Sequence, residues 1–191
     1  GVNPAPDGYL QTAREACDDA GAALVFDEIQ TGLGRTGTLW ACEQAGVVPD
    51  ALTVAKGLGS GLPIAATLVA DWIAEDAGDH GSTFSGGPVP CAAALATLDV
   101  LEDEDLAANA ETVGDYLQNE LSTLDVRDVR GDGLMVGVEV KRGANRALKA
   151  LALNHGILAL PAGRTVLRLL PPLTVDEAHA DRVVEAIDAE L

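Results

Sequence analysis

Lysine and aromatic side chains are both scarce in this sequence of 191 residues: three lysines stand against nine arginines, and Phe, Tyr and Trp contribute two residues each. With 3% aromatics a core must be built from Ala, Val and Leu, yet 48% apolar residues exclude disorder as a general description. No uninterrupted apolar run reaches the roughly 18 residues that a membrane-spanning helix needs. Basic residues are few, 12 against 30 acidic ones, and the formal net charge of −18 argues against nucleic-acid and anionic-membrane partners, which require basic patches. Cys17, Cys42 and Cys91 are odd in number and lack C-x-x-C spacing, so they read as small buried hydrophobes in a reducing, cytoplasmic compartment. His80, His155 and His179 are unclustered, and no metal site is expected from them.

Acidic residues are plentiful, and they are spread along the chain instead of forming one tail. Asp outnumbers Glu by 18 to 12, a composition that suggests adaptation to high salt. At low ionic strength such a chain repels itself.

Against that background Lys56 stands out. It ends the apolar run Ala51-Leu-Thr-Val-Ala55 and faces the glycines of Gly57-Leu-Gly59-Ser-Gly61. Another apolar run, Ala23-Leu-Val-Phe26, also ends at a charged residue, Asp27. Two short apolar runs separated by a helix-length segment, Gly37 to Gly46, read as parallel strands joined by a crossover, and ligands of such sheets sit beyond the carboxyl ends of the strands. If the strands are neighbours, about 5 Å apart, Asp27 and Lys56 can flank one flat ligand. A lysine amine that condenses with an aldehyde and shuttles a proton, with a carboxylate that keeps a pyridine nitrogen protonated, suits pyridoxal phosphate.

The segments Leu24-Val-Phe-Asp27-Glu28-Ile29-Gln30-Thr-Gly-Leu-Gly-Arg35-Thr-Gly37, Ala55-Lys56-Gly57, His80-Gly-Ser82-Thr83-Phe84, Arg130-Gly-Asp-Gly133-Leu-Met135 and Leu167-Arg168-Leu-Leu-Pro-Pro172 occur in one order. Together they resemble the class III aminotransferases, most nearly the acetylornithine and ornithine enzymes. The resemblance covers nearly all of this chain but about half the length of the family. The upstream half of the family supplies the phosphate loop and the aromatic that stacks on the cofactor, so the chain is similar to a C-terminal half.

The resemblance implies an α/β, fold-type I architecture: the C-terminal part of a large, mostly parallel-sheet domain over residues 1–102, then a small α+β domain over 103–191. It implies that Lys56 forms the Schiff base with pyridoxal phosphate and that Asp27 pairs with the pyridine nitrogen. Gln30 would bond near the phenolic oxygen, with Glu28 and Ile29 lining the same turn. Thr83 would bind the cofactor phosphate of a partner subunit, making a homodimer, with Ser82 beside the substrate. Arg168 would clamp the substrate α-carboxylate, for which a planar guanidinium is suited. Ser85-Gly86-Gly87-Pro88 departs from the Gly-Gly-Asn-Pro usual in the family, which leaves the loop at Thr83 less defined. The implied reaction moves an amino group from an ω-amine donor, N-acetylornithine first, to 2-oxoglutarate in amino-acid (arginine or lysine) biosynthesis. Ornithine, 4-aminobutyrate and a carrier-linked lysine precursor are the alternatives, and Asp27 to Gly37 follows the transaminase form of the motif, not that of the aminomutases.

Two readings of another class compete. Gly32-Leu-Gly34-Arg-Thr-Gly37 matches the G-x-G-x-x-G of a dinucleotide-binding oxidoreductase, but five residues, Asp27 to Thr31, separate it from the strand, and the next acidic residues after Gly37, where one is wanted about 20 positions on, are Glu43 and Asp50. A non-catalytic fragment that dimerises without cofactor would account for the chain's length. Taken singly, Lys56 could be a loop lysine, Asp27 a helix cap and Arg168 a surface residue; the ordered motifs weigh against that.

Elsewhere the pattern predicts helices at Tyr9–Ala20, 88–102, 144–154 and after Thr174, whose spacing to Glu177 is that of a capping box. Leu106, Val113, Leu117, Leu121 and Leu124 mark a further helix face. Strands are expected at 63–70, 126–129 and 134–140. The charge pattern generates the first prediction: the thermal midpoint rises by roughly 5 °C or more from ~0.1 M to ~2 M sodium chloride. Scanning calorimetry across that range tests it, and a flat or falling midpoint contradicts it.

Overall fold

Two glycines bound the first helix. Gly8 and Gly21 both lie in the left-handed region (φ 78° and 61°), and between them Tyr9–Ala20 forms α1, as the sequence predicts. In the computed structural model, which describes residues 1–76 and 82–191, the chain divides into two units. One comprises Ala5–Gly34 and Thr38–Leu106. The other comprises Gly1–Pro4, Arg35–Gly37 and Ala107–Leu191.

In the first unit, β1 (Val25–Asp27) runs parallel to β2 (Ala51–Val54), with Val25, Phe26 and Asp27 opposite Ala51, Leu52 and Thr53. The strand starts two residues later than the apolar run suggests. Leu24 is occupied by Asp50 instead: its N–H donates to Asp50 Oδ2 at 2.7 Å, and its carbonyl accepts from Asp50 N–H at 2.8 Å. Arg14 of α1 holds the same carboxylate at 2.7 Å. The Leu24 N–H and Arg14 hold the Asp50 carboxyl below its usual range.

The crossover departs from expectation. Only Ala41–Gln44 is helical (α2), because Gly37 (φ 100°) and Gly46 (φ 63°) turn the chain at both ends and the Thr38 hydroxyl bonds Trp40 O at 2.7 Å. β3 (Ala66–Val69) completes the sheet antiparallel to β2, giving the order β1-β2-β3, and all four of its residues are exposed. α3 is Asp71–Asp76. α4 spans Pro88–Asp103, with Pro88 and Pro90 tolerated in its first turn, where the missing N–H groups lack helical partners anyway. Leu33, Cys42, Leu52, Val54, Leu58, Ala94 and Leu101 form this unit's core.

The second unit packs α5 (Leu106–Ser122, most of which belongs here) and α7 (Glu177–Glu190) with an antiparallel sheet of order β4-β5-β7-β6. Its strands are Asp128–Asp132, Met135–Glu139, Leu160–Pro161 (β6) and Val166–Leu169 (β7). Leu121, Leu134, Val136, Val138, Leu151, Leu167 and Ile187 are wholly enclosed. β4 begins later than predicted because Val126 N–H is taken by Leu124 O in a turn. α6 (Ala144–Ala150) gives way to a wider turn over Leu151–His155, stopped by Gly156 at φ 66°.

The predicted cap of α7 is also corrected. Asp176, not Thr174, is the N-cap, and it accepts from His179 N–H at 3.0 Å. Of the cysteines only Cys42 is buried; Cys17 and Cys91 are half-buried, and all three are free thiols. Among the described residues, no helix is long and apolar enough to cross a membrane.

Glycine geometry makes the packing of α5 testable. A Cβ at Gly114 would lie 2.2 Å from the backbone carbonyl of Gly133 in the β4–β5 turn, and a Cβ at Gly133 would lie under 3 Å from the backbone of Arg35 to Gly37. Gly114→Ala should therefore lower the stability of the second unit by about 2–3 kcal/mol or more. Gly143→Ala, where the nearest atom is 3.9 Å away, should cost less than about 1 kcal/mol. Denaturant titration separates the two, and equal losses would contradict this packing. The first unit supplies a pH test. A carboxyl with a depressed folded value stabilises above its ordinary value of 3.8 and loses that contribution as pH falls through the depressed value. Asp50→Asn should therefore flatten the acid limb of the pH–stability profile; an unchanged limb would contradict the assignment.

Candidate active site

Asp27 is the last residue of β1, and its position opposite Thr53 fixes its carboxylate. Oδ1 accepts from the Thr53 hydroxyl at 3.2 Å and from the Ile29 N–H at 3.1 Å. The side chain is exposed, and among the described residues Oδ2 has no partner. One oxygen is thus held by the protein while the other remains available.

Three residues beyond Thr53 the chain reaches Lys56. Its backbone is left-handed (φ 47°), a conformation rare for a side chain of this length and costing on the order of 1 kcal/mol. Ala55 before it is also outside the regular regions (φ −159°, ψ −141°), and Leu58 N–H closes the turn onto Ala55 O at 3.1 Å. Leu58 and Gly59 are buried below, where a Cβ on Gly59 would meet Ile64 at 2.7 Å. The turn therefore anchors its apolar side in the core and leaves Lys56 exposed. Among the described residues its amine has no carboxylate or carbonyl partner.

Glu28 differs from its neighbours. It is 4% exposed, and its carboxylate faces inward: Oε1 accepts from Cys42 N–H at 2.9 Å and Oε2 from the Thr31 hydroxyl. The Cys42 thiol is pushed up to about 11 by burial first and by the Glu28 charge second. Ile29 and Gln30 are half-buried in the turn that follows, and the Gln30 amide is without a partner among the described residues. Gly32 closes the turn with its N–H on Glu28 O at 3.0 Å; a Cβ there would touch Trp40 at 2.9 Å.

Ser82 and Thr83 belong to the same unit and are exposed, in the segment that leads into α4. The Ser85 hydroxyl bonds Ser82 O at 3.4 Å, and Gly86 turns the chain at φ 68°. His80 and Gly81 of that motif lie outside the described residues. Arg168 belongs to the second unit, on β7 between buried Leu167 and Leu169. Across the sheet it faces Gly137, which has no side chain to compete with it. Its Nε is buried without a partner, so the guanidinium is left for a ligand or water.

The structure thus brings Asp27, Glu28, Ile29, Gln30 and Lys56 to one end of the parallel strand pair. Sequence reading missed Thr53, whose hydroxyl holds Asp27; a polar residue inside the run Ala51 to Ala55 was the available signal. Glu28, expected to line the same turn as Ile29, lies in that turn with its carboxylate facing inward. The G-x-G-x-x-G segment opens no helix directly, since α2 starts four residues after Gly37 and is four residues long. That removes the geometry on which the dinucleotide reading depended.

The residues of the first unit fit pyridoxal phosphate by the chemistry of the set: an amine, one carboxylate oxygen and an amide, all unpartnered among the described residues, at one end of the parallel strand pair. Comparisons with known proteins agree. The aminotransferase class-III family model matches residues 1–191. The acetylornithine aminotransferase of Methanosarcina mazei is 42% identical over 191 residues, which cover 98% of this chain and 48% of that protein. The LysW-aminoadipate semialdehyde/glutamate semialdehyde transaminase of Sulfurisphaera tokodaii is 40% identical, covering 97% and 50%. Among solved structures, the ornithine aminotransferase of Toxoplasma gondii, described with partial occupancy of PLP, matches with a TM-score of 0.92 at 36% identity over 100% of this chain and 47% of that one. The N-acetylornithine aminotransferase of Stenotrophomonas maltophilia matches at 0.88 and 37% identity, over 98% and 51%. The chain spans about half the length of the curated relatives it matches. With the family model matched along its whole length and aminotransferases among both the relatives and the solved structures it matches, the chain belongs to the class III, pyridoxal-phosphate-dependent aminotransferases.

Proposed function

We propose that this chain carries the lysine-bearing part of an aminotransferase site that moves nitrogen from an ω-amine donor, N-acetylornithine foremost, to 2-oxoglutarate. The observation that carries the reading is Lys56: an unpaired amine on left-handed backbone, three residues past the threonine that holds Asp27. Strain of this kind persists where the surroundings enforce it, and it concentrates at functional sites.

When bound, pyridoxal phosphate supplies an aldehyde for the donor nitrogen and a ring that draws in electrons as the adjacent carbon loses its proton. Lys56 Nζ would hold the cofactor at its aldehyde carbon and, as a neutral amine, would accept the proton at the donor carbon. Asp27 Oδ2 would accept from the protonated ring nitrogen, a charge-assisted bond, while Oδ1 stays on Thr53 and Ile29. Gln30 would bond near the phenolic oxygen, and Ile29 would pack in the same turn. Thr83 would reach the cofactor phosphate of a partner subunit in a homodimer, with Ser82 beside the substrate. Arg168 would take the substrate α-carboxylate in a two-point contact. On this reading residues 1–102 are the C-terminal part of the cofactor-binding domain and 103–191 a small domain.

The donor is read from the relatives' names, of which acetylornithine aminotransferase is the one at 42% identity. Ornithine and the ω-amine counterpart of a LysW-linked semialdehyde are the alternative donors that other relatives support. A second reading is a chain that folds without taking cofactor.

Borohydride trapping of added pyridoxal phosphate in molar salt, followed by peptide mapping, tests the assignment. Label on the peptide containing Lys56, lost in Lys56→Ala while circular dichroism is unchanged, is the expected result. Label spread over Lys141, Lys149 and the amino terminus and insensitive to that substitution, on a folded chain, would overturn it and favour the second reading.

A further inference from the structure

Glu28 is the one carboxylate among the described residues that is buried, and the transfer chemistry above gives it no part. It nevertheless joins four segments. Its N–H donates to Thr53 O at 3.0 Å, which extends the β1–β2 ladder by one residue beyond Asp27. Its carbonyl accepts from Gly32 N–H at 3.0 Å and closes the turn containing Ile29 and Gln30. Its side chain reaches the Cys42 N–H at the start of α2 with one oxygen and the Thr31 hydroxyl with the other. No lysine or arginine is paired with it among the described residues, so its acceptors are matched by neutral donors alone.

Two polar groups of the same turn are unpaired among the described residues, Asp27 Oδ2 and the Gln30 amide. Side chains without partners of their own would wander unless the turn that carries them is fixed from beneath, and a loosened site loses rate and affinity steeply. We propose that Glu28 is a positioning residue: its buried carboxylate ties the Asp27–Gly32 turn to α2 and so aims Asp27 and Gln30 without touching cofactor itself. The inference rests on the aminotransferase reading for its purpose, but its geometry can be tested without cofactor.

The carboxylate and its two donors make the test specific. Glu28→Met keeps the length of the side chain and removes both acceptors, leaving Cys42 N–H buried and unpaired. Glu28→Gln keeps an oxygen for Cys42 N–H and offers its NH2 to the Thr31 hydroxyl, so it should rescue. The readout is amide hydrogen exchange by NMR in molar salt, compared residue by residue.

The expected result is exchange at Ile29, whose N–H reports the Asp27 carboxylate, and at Gly32 faster by about tenfold or more in Glu28→Met, with Leu52 and Val54 of β2 unchanged and Glu28→Gln within about threefold of the parent chain. Unchanged exchange at Ile29 with faster exchange at Cys42 would show that Glu28 serves α2 alone. Equal acceleration at every amide of the unit would show general destabilisation; either outcome overturns the proposal. If Glu28→Met does not fold, Glu28→Asp, which retracts the carboxylate by one methylene, carries the same comparison. Trapping on the parent chain run in parallel keeps the two readings separate, since absence of label at Lys56 counts against the aminotransferase reading and leaves the exchange result to decide Glu28.

Discussion

The parallel pairing of β1 with β2, with Asp27 opposite Thr53, is the constraint from which the site follows. A shift of one residue would turn Asp27 to the other face of the sheet and separate its Oδ1 from the Thr53 hydroxyl. Several contacts outside the ladder defend this register. Asp50 receives Leu24 at the start of β1, Arg14 holds Asp50, and Glu28 N–H continues the pairing past its end. Because the strands are parallel, both chains leave the sheet on the same side, one through Glu28 and the other through Lys56.

Polar groups in this chain sort into two kinds. Arg130, Glu28 and Asp50 are matched by partners within the protein, Arg14 holds Asp50 through a terminal nitrogen, and Arg35 donates to the carbonyls of Leu134 and Pro171. Among the described residues, Lys56, Gln30, Asp27 Oδ2 and the Nε atoms of Arg14 and Arg168 are not matched. Unpaired donors and acceptors carry a cost when partly buried, and left-handed backbone at Lys56 adds another. A sequence selected for stability alone has ready ways to remove both. Membership of the class III aminotransferases supplies the context in which such unpaired groups are candidates for a functional site.

Much of this was legible in the sequence, for identifiable reasons. α1 and α4 were read well because glycines and prolines mark their ends. The parallel strands were readable as short apolar runs, and the positions of Asp27 and Lys56 at one end of the strand pair as charged groups where those runs stop. What escaped reading depended on which donor captured a given acceptor. Leu24 belongs to Asp50 and not to the strand, Asp176 outcompetes Thr174 as the cap of α7, and Gly37 and Gly46 leave room for one helical turn only. The burial of Glu28 was hidden for the same reason: a carboxylate next to Asp27 gives no sign in sequence that it points inward. The backbone of Lys56 was equally hidden, since nothing in Ala55-Lys56-Gly57 specifies a positive φ.

A crystal structure of the chain grown in molar salt with pyridoxal phosphate tests the central claim most directly. The account predicts electron density continuous from Lys56 Nζ to the cofactor, with the ring nitrogen within hydrogen-bonding distance of Asp27 Oδ2 and Oδ1 still on Thr53. Cofactor density elsewhere on a folded chain, or a Lys56 amine turned away into an ion pair while Asp27 faces solvent, would contradict it.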